Sequence, residues 1–307
     1  MDSPNDIREF LTTRRARLTP TQAGLPDFGG RRRVPCLRRE EVALLVGMSV
    51  EYYVRFERGN AKGVSEAVLE GISRALQLDD AERTHLYDLV RAANEGAHSQ
   101  RRRGVTRTQQ IRPSLLQLID AMTDVPVFIQ NGRLDILAIN RLGRAVFSEM
   151  YVQPQRPANF GRFVFLDPRA DSFYRDWDDA AYQTVALLRG EAGRAPHDRV
   201  LSDIVGELST RSDRFRTLWA SHEVREHRTG VKSVTHPVVG DLDLHYEAMD
   251  LSSDRGLQLI AYSAQPGSAT ADALKLLASW TATDQTATEA PLASSGNDPG
   301  AASAIPM

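Results

Sequence analysis

Apolar residues recur at helical spacing through the first third of the chain and at strand spacing further on, and this change of period divides the chain in two. Ile7, Phe10, Leu11 and Leu18 lie near a 3.6-residue period, which predicts a helix over 7–18 with a basic face that stops at Thr19-Pro20. The Gly- and Pro-dense stretch that follows, carrying Arg31, Arg32 and Arg33, predicts a loop. Leu37, Val42, Leu45 and Val46 mark a second helix ended by Gly47, a residue that adopts positive φ at little cost, and Ser49 is placed to cap the next helix. SEAVLEGISRALQL and DAERTHLYDLVRAAN predict two more amphipathic helices, and the polar run at 96–110 reads as a linker.

Beyond the linker, PVFIQNGRLDILAIN contains two β-rich runs split at Asn131-Gly132, a short-range hairpin signal. A helix over about 140–150 and a long helical middle follow, through SFYRDWDDAAYQTVALLRG, LSDIVGELS and RFRTLWASHEV. Strands return at VKSVTHPVV, DLDLHYEAMDL and LQLIAYSA, with turns at Gly240-Asp241 and 252–256. The expected fold is therefore multidomain: an all-α domain at 5–93, a linker at 94–110, and an α+β domain with an antiparallel sheet at 111–266. A short helix at 271–280 and a disordered Ala/Ser/Thr-rich tail make up 267–307.

Charge sharpens this division. Residues 1–110 carry 19 Lys and Arg against 15 Asp and Glu, and the remainder carries 19 against 25, so a basic front is joined to an acidic rear. That asymmetry suggests a nucleic-acid module coupled to a domain with another task. No apolar run approaches the roughly 18 residues of a membrane span, and the start MDSPNDIREF lacks the pattern of a secretory signal. A single cysteine, Cys36, excludes an internal disulfide framework. These features predict a cytoplasmic protein with no membrane partner.

The segment LRREEVALLVGMSVEYYVRFERG, 37–59, solves a packing problem. Two short helices that cross steeply need a small residue at the contact, Ala43, a glycine at the turn, Gly47, and apolar anchors, here Val42, Val46, Tyr53 and Phe56. With Tyr53 and Phe56 on the buried face, Val50, Glu51, Tyr52 and Arg55 stand at the exposed front of the second helix, where a recognition helix meets the major groove. This stretch resembles the xenobiotic-response-element (XRE) family of helix-turn-helix domains. The resemblance implies base reading by Val50, Glu51 and Arg55 and phosphate contacts from Arg39 and Arg58, with Tyr52 and Arg32 as further phosphate candidates. Arg55 has the donors for two hydrogen bonds to a guanine edge, Glu51 can accept from a cytosine amino group, and Val50 can pack on a thymine methyl. Glu51 reads equally as a first-turn carboxylate favoured by the helix dipole. The longer first loop, FGGRRRVPCLRREEVA, resembles the bacterial regulators with an MmyB-like ligand-binding domain, in which glycine stands where this chain has Cys36. If that position needs positive φ, cysteine strains it.

The same resemblance continues through NGRLDILAIN, FVFLDPRADSFYRDWDDAA, VGELSTRSDRFRTLWASHEV and THPVVGDLDLHYEAMDL. It implies a PAS-like fold with a pocket for a fatty acyl chain or another apolar molecule. Phe128, Phe147, Phe165, Trp177 and Trp219 are the candidate lining residues, and the same aromatic groups suffice equally for a solid core. Catalysis finds little support. In HEVREH, His222 and His227 are five apart and face away from one another on a helix, so no metal pair forms, and no nucleophile motif or phosphate loop is present. The expected protein is a non-enzymatic, homodimeric regulator of transcription that binds double-stranded DNA, requires no cofactor and responds to a small apolar ligand. The alternative is a DNA-binding adaptor whose rear domain dimerises or recruits a protein without a ligand.

Overall fold

In the computed structural model, residues 3–26, 34–95, 110–152, 157–221 and 228–289 are described. The first unit consists of helices α1 (Ser3–Arg17), α2 (Arg39–Val46), α3 (Val50–Glu57), α4 (Glu66–Ala75) and α5 (Asp80–Glu95). They close on one core that includes Ile7, Phe10 and Leu11 of α1, Val42 and Ala43 of α2, Tyr53 and Phe56 of α3, Ile72 of α4 and Leu86 of α5. Apolar residues three and four apart put one face of each helix into that core, and the polar faces stay in water. The loop arginines 31–33 and most of the linker, 96–109, lie outside the described residues, as does the HEVREH segment at 222–227.

The second unit is a six-stranded antiparallel sheet in the order β3-β2-β1-β6-β5-β4. Its strands are β1 (Val127–Asn131), β2 (Asp135–Ile139), β3 (Ala158–Asn159), β4 (Thr229–His236), β5 (Gly240–Asp250) and β6 (Leu257–Ser263). Helix α6 (Pro113–Asp120) covers one face of the sheet through Leu115 and Ile119, which pack on Val127, Ile129, Leu257 and Leu259. The other face is covered by α7 (Arg141–Val146), α8 (Phe160–Leu166), α9 (Ala170–Phe173), α10 (Trp177–Arg194), α11 (Arg199–Arg211), α12 (Asp213–Ala220) and α13 (Ala269–Glu289). Strand parity dictates this division: Phe128, Val234, Leu242, Leu244, Ile260 and Tyr262 point into the helix-covered core, and alternate residues point the other way.

The hairpin expected at Asn131-Gly132 is present, with a positive φ at Leu134 (φ 66°). Asn131 closes the turn by accepting from Leu134 N at 3.0 Å through its carbonyl, and its side-chain oxygen takes the Arg133 and Asp135 amides. Helix α13 runs to Glu289, well past the short helix expected at 271–280, and no glycine or proline interrupts it. Cys36 carries no strain of the kind anticipated: among the described non-glycine residues, positive φ occurs at Gln77 and Leu134.

The two units touch through α5 and α10. A Cβ on Gly193 of α10 would stand 2.6 Å from the His85 ring of α5, so the missing side chain is what allows this approach. His85 in turn packs edge-on against Phe10 of α1, with ring centroids 5.2 Å apart.

Candidate nucleic-acid interface and ligand cavity

The turn between α2 and α3 follows from its local chemistry. Gly47 at φ 76° ends α2, with Met48 N donating to Ala43 O at 3.0 Å. Ser49 then accepts from Tyr52 N at 3.1 Å and starts α3. Tyr53, Phe56 and Glu57 are buried, which turns Val50, Glu51 and Arg55 together toward solvent, and Val50 is 40% exposed despite being apolar. Tyr52 lies half-buried beside them with the Arg55 guanidinium 5.1 Å from its ring centroid. Arg58, exposed, caps the end of the helix.

Arg39 has a second partner that its sequence context did not reveal. Its Nε pairs with Glu57, a carboxylate that is 1% exposed and is shared with Arg15 at 2.9 Å. Arg15 also donates to Leu37 O at 2.9 Å, so this one buried acid ties α1, the start of α2 and the end of α3 together. The Arg39 side chain is still 47% exposed, and it stands beside the recognition face while it holds that face in position. Arg32 lies outside the described residues.

In the second unit a small cavity of about 30 Å³ lies between the sheet and α10. Phe128, Phe160, Tyr174, Ile260 and Tyr262 wall it, and Gln130, Gln183, Thr184 and Lys232 bring polar groups to it. Lys232 sits 5.8 Å from the Phe160 ring and 5.5 Å from the Tyr174 ring and makes no ion pair or hydrogen bond among the described residues. Desolvation pushes its ammonium down to about 8. A backbone bridge between Tyr174 and Val234 sets Tyr174 against the same strand. The Tyr174 hydroxyl is buried without a partner, and burial pushes its pKa up, so it remains a donor. A protonated amine at the wall of an aromatic cavity has the chemistry to receive a carboxylate.

Of the five aromatic residues expected to line a pocket, Phe128 is the one that lines this cavity among the described residues. Phe147 backs the wall, with its ring 5.2 Å from Tyr262 and 5.7 Å from Phe128. Phe165, Trp177 and Trp219 belong to a separate cluster among α8, α10 and α12. There the Trp177 indole donates to Val164 O at 3.0 Å, and Trp219 stacks on Phe215 and under the Arg189 guanidinium at 3.7 Å. The Trp177 indole donor is thus satisfied within the core. Lys232 was the missed signal. It is in phase with Val234 and His236, the inward-facing positions of β4, where a charge is out of place unless it meets something.

A short helix, a glycine turn and a second helix with an exposed polar front define a helix-turn-helix DNA-binding protein, and residues 7–86 match a family model described as a helix-turn-helix domain. Residues 111–277, more than half of the chain, match the model described as the MmyB-like transcription regulator ligand binding domain, and the chain belongs to that family. It is a DNA-binding transcription regulator with a domain for a small molecule. No curated protein matches it. Among the described residues no helix is long and apolar enough to cross a membrane.

Proposed function

We propose that this regulator binds its operator as an XRE-type homodimer in the bacterial cytoplasm and acts by binding alone, without catalysis or a cofactor. Its PAS-like second domain takes a carboxylate with an apolar chain, such as a fatty acid. Val50, Glu51 and Arg55 read bases from the front of α3, and Arg39, Tyr52 and Arg58 meet phosphates on either side, with Arg32 of the preceding loop as a further candidate. The ligand reading rests on one observation: Lys232, which makes no ion pair among the described residues, lines an aromatic-walled cavity beside the Tyr174 ring. A half-buried cation with no ion-pair partner, felt by Asp179 only at a distance, carries a desolvation cost that a carboxylate ligand offsets.

Calorimetric titration of the full chain with dodecanoate and with dodecanol tests this. Dodecanoate is expected to bind, and Lys232→Met to weaken it by about tenfold or more. Dodecanol should be indifferent to the substitution. Equal dodecanoate affinity in wild type and variant would remove the head-group assignment. For the DNA half, Arg55→Ala should cost about 1–3 kcal/mol and relax preference at one base pair in binding-site selection from random DNA. An unaltered selected site would take Arg55 out of the reading set.

A further inference from the structure

The cavity beside Lys232 has room for roughly one water-sized group, too little for a chain of any length. It does not end there. Gln130, Leu134 and Leu187 line this cavity and also a larger cleft of about 420 Å³, so the two spaces adjoin through a common wall. The far side of the cleft belongs to the other unit: Ala81, Thr84, His85 and Asp88 of α5 face it. Its volume is in the range of small-molecule sites, which favour domain interfaces.

The shared wall has two unusual features. Gln130 is 4% exposed, and its amide makes no hydrogen bond among the described residues; the β1–β2 register shifts between Ile129 and Gln130, a bulge of the sort that re-aims a side chain. Leu134 holds a positive φ with its side chain buried, a conformation an L-residue adopts at a cost and one that recurs where ligands bind. A glutamine at a bulge and a strained leucine thus stand at the junction of the two spaces. Ala81, Leu187 and Ala248 supply apolar contacts on the cleft side, in a lining that is otherwise largely polar and includes Asp88, Arg194, Arg228 and Asp250.

We infer that the ligand is shared by the two domains: its carboxylate sits at Lys232 and Tyr174, and its chain passes Gln130 and Leu134 into the cleft, where α5 of the DNA-binding domain closes over it. This rests on the carboxylate reading above and adds the route by which occupancy reaches DNA. A ligand that touches both domains binds one of their arrangements better than another, which is the requirement for changing operator affinity. From α5 the contacts continue to α1 through Phe10–His85 and through Glu82, which pairs with Arg14 at 2.7 Å and Arg17 at 3.0 Å. They reach the recognition helix through Arg15 and Glu57.

The test uses the full chain, dodecanoate and a cleft-filling substitution on α5. Thr84 is exposed, so Thr84→Trp should fold; Ala81→Trp, one turn earlier, is the second variant. Both should bind operator within about twofold of wild type without ligand, bind dodecanoate about tenfold more weakly, and lose the dodecanoate-induced change in operator affinity. Hydrogen exchange should show that dodecanoate protects the amides of α5 in wild type. Wild-type dodecanoate affinity in both variants, or no protection of α5, would overturn the shared site while leaving the head-group assignment intact. If dodecanoate failed to bind wild type, or bound Lys232→Met equally, the head-group assignment itself would fall.

Discussion

Glu57 and Lys232 are charges withdrawn from water to different ends. Glu57 is matched by two guanidiniums from different helices, and breaking one side of such a buried arrangement leaves an under-compensated charge. Arg15→Ala is therefore expected to destabilise the protein by about 3 kcal/mol in urea unfolding. Arg39→Ala should do two things at once, weakening all DNA sequences alike and lowering stability. Lys232 has no such match. Its folded value of about 8 lies below the ordinary 10.5, so between those pH values the unfolded chain binds more protons and stability rises with pH. Relative to Lys232→Met, the wild type should gain stability across that window and, in the same window, lose dodecanoate affinity. A pH-independent difference between the two proteins would mean that Lys232 is solvated. The sequence placed Arg39 beside DNA from its motif position, but Glu57 sits 18 residues away on another helix, and no local pattern announces that the two meet.

At the scale of elements, what depended on a few neighbouring residues was legible. Gly47 ends α2 and Ser49 caps α3 as their chemistry requires. The two-residue β3 carries no such pattern, and the Asn131 turn shows how far local reading reaches: the hairpin is legible, the positive φ at Leu134 is not. Two helix glycines make the same point. A Cβ on Gly206 of α11 meets nothing within 4 Å, whereas one on Gly193 of α10 would run into His85. Gly206→Ala should stabilise by about 0.5–1 kcal/mol through helix propensity. Gly193→Ala should instead destabilise by about 1–3 kcal/mol through overpacking, read in the same urea titration. In sequence the two positions look alike, each a glycine inside an amphipathic helix.

At the scale of the whole molecule, α10 belongs to everything at once: Gln183, Thr184 and Leu187 line the inner cavity, Gly193 admits α5, and Arg189 lies between the units. Arg189 is 4% exposed, stacked on Trp219, and lowered to about 10 by desolvation against the pull of Asp6 and Glu9 on α1. Arg189→Met should therefore uncouple the units, turning one cooperative thermal transition into two by calorimetry; a single transition in the variant would show that α5 and α10 suffice to hold them. The sequence alone determined two units, most of their helices and strands, and a helix-turn-helix whose second helix exposes Val50, Glu51 and Arg55, because periodicity, caps and turns act over a few residues. Only the tertiary structure decided that a lysine and a tyrosine 58 positions apart meet at one cavity, and that the cleft beside it is walled by both domains. Such meetings depend on how distant segments pack, and no spacing along the chain encodes them.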